Sequence, residues 1–261
     1  MFEESTEVVF NKGVARNTFF MGIRSGPMAD ASRPGQFVMV QVRSGIDPLL
    51  RRPFSICGVN GDVLLILYRV VGHGTAILSE KKPGDFIRVL GPLGKGFEPP
   101  GKAVQPILVA GGMGIAPLIF LSLNLARKDQ QFLAGYGISP EIVPLDPLGI
   151  RGLSPTIATE DGSQGHHGRV TELLESVLSS AKEKPVGIFT CGPLPMLKAV
   201  SRIALGQNIP CQVSLESNMA CGVGACQGCA VKKAPGLIEP YAHVCQDGPV
   251  FDAKTLDWEV L

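Results

Sequence analysis

The cysteines towards the C-terminal end of the chain have the spacing of a metal-cluster site. Cys221, Cys226 and Cys229 stand in C-x4-C-x2-C spacing, and Cys245 follows. This is the plant-type ligand pattern for a [2Fe–2S] cluster, and glycines between the cysteines allow the loop to wrap closely around one. Zinc is an alternative, although zinc sites usually carry paired short C-x2-C motifs. Disulfides are a second alternative, and seven cysteines without an export signal argue against them.

A second group of residues that could hold a cofactor is Arg52-Pro53-Phe54-Ser55. An arginine can clamp a diphosphate, and the extended backbone before and around Pro53 can run beside a planar ring. Phe54 can pack near that ring, and Ser55 offers a hydroxyl for a hydrogen bond. The alternative is the start of a strand with surface arginines, and these four residues alone favour the alternative.

The sequence YRVVGHGT, residues 68–75, precedes a predicted short helix over 75–80. Glycines before a helix expose backbone N–H groups that can bind a phosphate. A G-x-G pattern by itself is weak evidence, because glycines also occur in ordinary turns. The residues of this segment that could contact a cofactor are Tyr68, Arg69, Gly72, Gly74 and Thr75.

A third motif, LVAGGMGIAP at residues 108–117, predicts a strand, a glycine turn and a helix with Pro117 near its first turn. A helix start carries a partial positive charge of about half a unit. Gly111, Gly112 and Gly114 permit the close approach of a pyrophosphate. The pattern indicates a dinucleotide site, and the alternative is a purely structural strand–helix corner.

Two further segments follow predicted strands at the carboxyl edge of the same sheet, where ligands bind in open α/β folds. Cys191, Gly192 and Pro193 end one strand; the thiol could touch a nicotinamide ring, although a lone cysteine is more often a core residue. Glu160 follows another strand and could bond ribose hydroxyls and repel a 2′-phosphate, or it could simply belong to a solvated turn. Because the next basic residue is Arg169, the sequence favours NAD(H) over NADP(H).

The elements that must position these residues divide the chain into three predicted units. Residues 1–100 combine short β-type runs with frequent turn signals, which favours an antiparallel barrel. Residues 101–207 alternate strands and helices, which indicates a doubly wound parallel sheet. Residues 208–261 are too few to form a large hydrophobic core alone, and we expect a metal centre to stabilise their fold. The predicted strands include 37–42, 63–70, 85–89, 107–110, 132–136, 156–159 and 187–190. The predicted helices run from the glycine turn to about 127, over 170–180 and over 194–205. Residues 138–154 are expected to form a loop.

Composition limits the classes of function. Charge is nearly balanced, with 24 Lys+Arg against 23 Asp+Glu, and gives no indication of nucleic acid or an anionic membrane. A low charged fraction of 18% fits a surface covered by a partner. The start MFEESTEVVF lacks the apolar region of a signal peptide, and glycines and prolines interrupt the uncharged stretch 103–126 too often for a membrane span. We therefore expect a soluble, cytoplasmic protein.

Taken together and in this order, the motifs resemble the ferredoxin–NADP reductase superfamily, and within it the electron-transfer subunits of the type B dihydroorotate dehydrogenases. The resemblance covers essentially the whole chain. It implies a Greek-key barrel that holds FAD, a middle domain that binds NAD(H), and a small [2Fe–2S] domain. By resemblance, FAD is assigned to Arg52 and Ser55, with Pro53 and Phe54 beside the isoalloxazine, and to Gly72, Gly74 and Thr75. NAD(H) is assigned in the same way to Gly111, Gly112 and Gly114. The cluster is assigned to Cys221, Cys226, Cys229 and Cys245.

The function that this resemblance implies needs no catalytic acid or base on this chain, because the redox chemistry belongs to the cofactors. A separate FMN-containing subunit, bound in a hetero-oligomer, would oxidise dihydroorotate to orotate in pyrimidine biosynthesis, and NAD+ would accept the electrons. The alternative is a diaphorase subunit of a hydrogenase, sulfide dehydrogenase or transhydrogenase, whose motifs overlap. A third hypothesis is a non-catalytic adaptor. The chain departs from the family pattern at 138–154, where a proline-bearing segment replaces a compact strand–loop.

Overall fold

The computed structural model describes residues 1–150, 152–181 and 184–261. Its N-terminal strands close into an antiparallel barrel. They are β1 (Phe2–Ala15), β2 (Thr18–Arg24), β3 (Phe37–Gln41), β4 (Arg52–Asn60), β5 (Val63–Arg69) and β6 (Phe86–Leu93). The barrel order is β1-β2-β5-β4-β3-β6. Two short helices, α1 (Gly26–Ala31) and α2 (His73–Ser79), cap this barrel.

The barrel forms because β-type runs are separated by residues that turn the chain. Between β4 and β5 only Gly61 and Asp62 intervene, and Gly61 takes a φ of +58°, which favours glycine in a tight hairpin. Inside, Met21, Ile23 and Ile66 are fully buried. The hairpin therefore pairs β4 with β5 and places their residues side by side.

The middle of the chain forms a parallel sheet with helices. Its strands are β7 (Gln105–Gly111), β8 (Gln131–Tyr136), β9 (Thr156–Thr159), β10 (His166–His167), β11 (Val186–Cys191) and β12 (Cys211–Ser214). Their order is β10-β9-β8-β7-β11-β12, with parallel pairing throughout. The helices are α3 (Ile115–Leu125), α4 (Val170–Ser180) and α5 (Leu194–Gly206). This arrangement confirms the predicted combination of a barrel with a doubly wound sheet.

Helix α3 is apolar on nearly all sides, and it lies buried between the barrel and the sheet. Its residues 115–122 are all buried. Ile119 packs in one cluster with Phe20 of the barrel and Leu108 of the sheet. A helix that is apolar all round needs such burial. The uncharged stretch 103–126 is therefore a strand, a glycine turn and an interior helix, and no helix among the described residues is both long and apolar enough to cross a membrane.

The C-terminal segment is built into the rest of the molecule. Its strands are β13 (Ala230–Lys232), β14 (Tyr241–His243) and β15 (Val250–Asp252). The first two form a separate hairpin, whereas β15 pairs antiparallel with β12 at the edge of the middle sheet. Val244 and Cys245 share a core with Leu197 of α5 and Met39 of the barrel. The sheet thus extends beyond residue 207, where the sequence predicts the third unit to begin.

The predicted elements recur with small shifts at their ends. The strand over 156–159 and the helix over 170–180 are found with those bounds. The short helix α2 begins two residues before the predicted start. The stretch 138–154 contains two single-turn 3-10 helices, Ser139–Glu141 and Asp146–Leu148, within otherwise irregular chain; Arg151 lies outside the described residues.

Candidate cofactor sites

Most of the predicted flavin residues line one cavity of about 560 Å³ between the barrel and the segment that begins at the end of β12, whereas Gly72 and Gly74 lie outside its lining. The motif that begins at Arg52 supplies one wall, and the end of β5 supplies the next. Phe37 and Leu67 add apolar surface. The sequence-predicted residues found in this lining are Arg52, Pro53, Phe54, Ser55, Tyr68, Arg69 and Thr75.

The Arg52 guanidinium is held against the start of α2. Its Nη1 atom donates to the Leu50 carbonyl oxygen at 2.7 Å. A Cβ atom at position 74 would lie 2.9 Å from Arg52 Nε, so the arginine can take this place only beside a glycine. Thr75 Oγ1 accepts hydrogen bonds from the backbone N–H groups of Val71 at 2.9 Å and Gly72 at 3.1 Å, which fixes the turn. A fixed guanidinium beside an apolar cavity fits the diphosphate and ring of a flavin dinucleotide.

Aromatic rings provide the floor of the same cavity. The Tyr68 ring stacks on Phe19 at 5.6 Å and meets Phe54 edge-on at 5.6 Å. The Tyr68 hydroxyl donates to Asn11 Oδ1 at 2.9 Å. Burial raises the pKa of Tyr68 to about 12, against the smaller opposite effect of the hydrogen bond to Asn11. Because its polar end is engaged elsewhere, Tyr68 offers the cavity a neutral ring face.

The opposite wall of the flavin cavity was not predicted from the sequence. Met113, in the glycine turn before α3, and Ala116, in its first turn, contribute to it, together with residues 214–219 at the end of β12 and beyond. Glu216 in that segment has a carboxyl pKa raised by burial. No sequence pattern links residues so far apart with the barrel motif, and only the fold brings them together.

The predicted dinucleotide residues line a second cavity, of about 410 Å³, at the carboxyl edge of the sheet. Gly111, Gly112, Glu160 and Pro193 all belong to its lining. Gly112 has a φ of +50°, and a side chain there would meet no atom within 4 Å. The glycine turn therefore leaves open space for a ligand at the end of β7. The lining also includes Arg69, Gly135, Tyr136, Gly137, Glu141, Gly168, Arg169, Val170, Thr171, Pro195, Met196 and Ala199.

Gly114 and Cys191 have a structural role at this edge. A Cβ atom at Gly114 would lie 2.1 Å from the Cys191 carbonyl oxygen, and one at Gly192 would lie 2.9 Å from Gly111 Cα. The turns after β7 and β11 thus pack backbone against backbone. The Cys191 side chain is buried and lines neither cavity, and desolvation, reinforced by Glu216, raises its thiol pKa to about 12.

The second cavity is also lined by Glu141 and Arg169, which the sequence analysis did not predict as site residues, and by Arg69, which it gave only as a residue that could contact a cofactor. Arg69 lines both cavities, and its Nη1 atom forms an ion pair with Glu141 Oε1 at 3.4 Å. Arg169, at the start of α4, lies in the same lining as Glu160. The basic residue that appeared distant along the sequence is therefore a neighbour of Glu160 in space.

The four cysteines of the predicted cluster site are linked by two contacts, one between side chains and one from backbone to side chain. Cys229 Sγ and Cys245 Sγ are 3.3 Å apart. The Cys226 N–H donates to Cys221 Sγ at 3.4 Å. Among the described residues no three potential ligands converge on a single ion position. The adjacent thiols of Cys229 and Cys245 could serve one iron of a [2Fe–2S] cluster, in which each iron takes two protein ligands, and the C-x4-C-x2-C spacing favours this cluster over one tetrahedral zinc.

Backbone N–H groups surround these sulfurs. Val223 N–H donates to Cys221 Sγ at 3.4 Å, and Gly224 N–H donates to Cys245 Sγ at 3.1 Å. Although desolvation raises the pKa of Cys221, hydrogen bonds from the backbone of Val223, Cys226 and Ala225 and from the Cys226 side chain together outweigh it and lower that pKa to about 6. An environment that favours thiolate at this position fits a cluster ligand.

Comparison with protein families and curated proteins gives the same assignment. Residues 216–257 match the model of the iron–sulfur cluster binding domain of dihydroorotate dehydrogenase B. The electron transfer subunit of the NAD(+)-dependent dihydroorotate dehydrogenase B of Geobacillus thermodenitrificans is 39% identical over 257 residues, or 96% of each chain. The corresponding subunit of Desulforamulus reducens is 40% identical, over 94% of this chain and 95% of the relative.

Solved structures support the fold. The structure of an NADH-dependent reduced ferredoxin–NADP oxidoreductase, described for flavin-based electron bifurcation, has a TM-score of 0.83 and 28% identity, covering 98% of this chain and 91% of that one. A Neisseria gonorrhoeae ferredoxin NADP+ reductase with bound FAD and NADP has a TM-score of 0.60 and 18% identity, covering 78% and 91%. The near-complete matches at about 40% identity place the chain in the family of electron transfer subunits of NAD(+)-dependent dihydroorotate dehydrogenase B.

Proposed function

We propose that this chain is the NAD-linked flavin and iron–sulfur subunit of a dihydroorotate dehydrogenase and carries electrons between a catalytic FMN-containing partner and NAD+, as part of pyrimidine biosynthesis. One observation carries the proposal. Residues 214–219 form a wall of the cavity that holds the flavin motif, and the chain then runs directly into Cys221. The candidate cluster and flavin sites are therefore neighbours, with the dinucleotide cavity on the far side of Arg69.

Each cofactor is assigned to residues of this chain. FAD belongs to the cavity of Arg52, Pro53, Phe54, Ser55, Tyr68, Arg69 and Thr75, with Gly72 and Gly74 in the turn beside Arg52. NAD(H) belongs to Gly111, Gly112, Glu160 and Pro193, on the packed corner that Gly114, Cys191 and Gly192 form. When bound, FAD supplies hydride exchange with nicotinamide and single-electron exchange with a [2Fe–2S] cluster. The residues of the chain bind and orient these groups and keep water from the apolar faces.

The partner approaches from the cluster side. Cys226 is exposed, whereas Cys229 and Cys245 are buried. A cluster held by these thiols has one side open to the surface, and electrons leave or enter by that side only if another redox centre comes close. The relatives are named as electron transfer subunits, which implies a catalytic subunit in a hetero-oligomer. We place the complex in the cytoplasm, where cysteines outside disulfides, as free thiols or as cluster ligands, are normal.

The proposal keeps three functional units, at residues 1–100, 101–207 and 208–261. Two strands of the third unit, β12 and β15, complete the sheet of the second. Each unit is therefore assigned its own cofactor, although the second and third units share one sheet. This shared sheet holds the cluster loop rigidly to the two cavities, as a chain of electron carriers requires.

The test uses the purified chain and its complex. The chain alone should show flavin and [2Fe–2S] absorption and reduce a dye with NADH, but should not oxidise dihydroorotate. Co-expressed with the catalytic subunit from the same genome, it should co-purify and support dihydroorotate-dependent reduction of NAD+. Missing flavin and cluster absorption would favour the adaptor hypothesis. Stable association with a hydrogenase or transhydrogenase subunit instead would favour the diaphorase alternative, which the relatives at 36–40% identity do not support.

A further inference from the structure

Among the described residues, Arg69 is the one side chain that lines both cavities. It ends β5, where it pairs with Thr18 of β2, so its backbone is fixed in the barrel. A nicotinamide ring that exchanges hydride with a flavin must sit where the two cavities meet. A phosphate near that ring would then be within reach of Arg69, which lines both cavities.

The guanidinium of Arg69 has unused hydrogen-bonding capacity. Its Nε and Nη2 atoms are buried and have no hydrogen-bond partner among the described residues. Its remaining contact is the 3.4 Å ion pair from Nη1 to Glu141, in which both side chains are about a quarter exposed, 26% and 27%. Buried donors without partners are rare and costly in proteins, and a phosphate, like a carboxylate, offers the paired oxygens that a guanidinium fork matches.

Glu141 is placed in the dinucleotide cavity by a well-anchored turn. Pro140 accepts a backbone hydrogen bond from Arg16 of the barrel at 2.9 Å, and the Ser139 N–H donates to Ser163 Oγ at 2.8 Å. The turn closes on itself through a hydrogen bond from the Glu141 N–H to the Ile138 carbonyl at 3.1 Å. The backbone is therefore tied to both the barrel and the sheet, and the Glu141 side chain can move while the turn stays in place.

A carboxylate in this position is unexpected for a site that takes a diphosphate. Two acidic side chains, Glu141 and Glu160, and two basic ones, Arg69 and Arg169, line the cavity. Glu160 can bond the ribose hydroxyls of the dinucleotide that the proposed function assigns to this cavity. Glu141 has no such role. Its carboxylate forms an ion pair with Arg69, the cation that a phosphate in this cavity would bind.

We propose that Arg69, which also borders the flavin cavity, binds the diphosphate of the nicotinamide dinucleotide, and that Glu141 is a competing counter-ion which the diphosphate must displace. Glu141 thus acts as a positioning residue: it keeps the guanidinium at the junction of the cavities and lowers the affinity for the nucleotide, which favours exchange of NAD+ and NADH. This inference rests on the proposed function, because it assumes that the second cavity binds the dinucleotide.

The experiment measures the binding of ADP-ribose and of adenosine by calorimetry, using the FAD- and cluster-loaded chain. ADP-ribose carries the diphosphate, and adenosine lacks it. Glu141→Gln keeps the shape of the side chain and removes its charge. We expect the variant to bind ADP-ribose about fivefold more tightly, the effect of releasing a partly exposed ion pair, and to bind adenosine as the wild type does.

Two further variants separate the effect of the Arg69–Glu141 pair from other causes. Asp146→Asn removes one negative charge from the same segment at a residue outside both cavity linings, and should leave the affinity for ADP-ribose unchanged. Arg69→Gln should weaken the binding of ADP-ribose, and adding Glu141→Gln to it should give no gain. Melting temperature shows whether each variant is folded, and flavin content shows whether Arg69→Gln still holds FAD.

The outcomes distinguish this inference from the proposed function. Wild-type protein that binds no ADP-ribose contradicts the dinucleotide site itself. Wild-type binding with an unchanged or weakened affinity in Glu141→Gln overturns the role of Glu141 alone, and a weakened affinity assigns it to the ribose hydroxyls. An equal gain with Asp146→Asn, or an equal gain for adenosine, reduces the effect to net charge and also overturns the inference.

Discussion

Gly222, which follows the first cysteine of the cluster motif, lies directly against Met39 of the barrel. A Cβ atom added at Gly222 would come within 2.6 Å of Met39 Cγ. Met39 in turn pairs with Pro53 in the register of β3 and β4. One strand of the barrel therefore separates the cluster loop from the flavin motif, and close packing at Gly222 sets the spacing between the two sites.

Replacing Gly222 with alanine should damage this spacing. Its φ of +77° disfavours any side chain, and the added methyl group would collide with Met39. We expect a loss of about 1–3 kcal/mol in the free energy of unfolding, measured by denaturant titration, together with a lower iron content. Gly236→Ala is the matched control, because that glycine has a φ of +87° with no atom near its Cβ position. Equal losses in both variants would show that the contact with Met39 does not matter.

The cluster should depend on each of its four cysteines. Cys226→Ser replaces a soft thiolate by a harder alcohol that suits iron less well. We expect the variant to lose the cluster while FAD stays in the barrel, as measured by iron analysis and visible spectra. Cys57→Ala is the control, because this buried thiol lies in the core beside Leu67 and outside the cluster motif. Full iron content in the Cys226 variant would disprove the assignment of this ligand.

The binding of FAD should depend on Arg52. Arg52→Ala removes a charge-assisted contact to a diphosphate, which is worth about 1.5–3 kcal/mol, so FAD affinity should fall about tenfold or more. Arg51→Ala is the control, since Arg51 forms an ion pair with Glu3 and lines neither cavity. Flavin retained during dialysis measures the effect. If both variants keep their flavin equally well, Arg52 does not bind the cofactor.

Local sequence signals predict the elements of this fold well, because each signal acts within a few residues. The strand over 156–159 and the helix over 170–180 follow from apolar periodicity between turn residues and appear with those bounds. Strand β12 was missed as a member of the middle sheet, since its short apolar run gives no indication of its partners. Its pairing with β11 and β15 is set by tertiary packing alone.

The candidate sites divide in the same way. Cys221, Arg52 and the glycine turn at Gly111 carry their chemistry in short motifs, which the sequence shows. The wall at Glu216 and the ion pair of Arg69 with Glu141 depend on contacts between distant segments. Nothing in the local sequence of either segment indicates such a contact, so only the folded chain reveals it.

The nucleotide should be NADH rather than NADPH, and Glu160 should decide the preference. Its carboxylate lines the dinucleotide cavity, whereas Asp161 is engaged with the Ser163 hydroxyl at 2.6 Å and does not line the cavity. Arg169, in the same lining, could bind a 2′-phosphate once the Glu160 carboxylate is removed. We expect Glu160→Gln to raise diaphorase activity with NADPH relative to NADH, and Asp161→Asn to leave the ratio unchanged. A wild-type preference for NADPH would contradict the prediction.

The catalytic partner should dock on the hairpin beside the cluster. Ile238, in the turn between β13 and β14, is 98% exposed, and Tyr241 is exposed beside it. Strand β13 begins immediately after Cys229, so this apolar turn extends from the cluster site. Apolar anchors at the centre of an obligate interface contribute much of its binding energy.

We therefore expect Ile238→Asp to weaken association with the catalytic subunit about tenfold or more and to reduce dihydroorotate-dependent reduction of NAD+. Because the residue lies outside both cavities and the cysteine motif, iron content, flavin content and NADH-dependent dye reduction by the chain alone should remain unchanged. Ile46→Asp is the matched control, since Ile46 is 86% exposed on a barrel loop. Size-exclusion chromatography of the mixed subunits measures association, and an equal loss in both variants, or a loss in neither, would exclude the hairpin as the docking site.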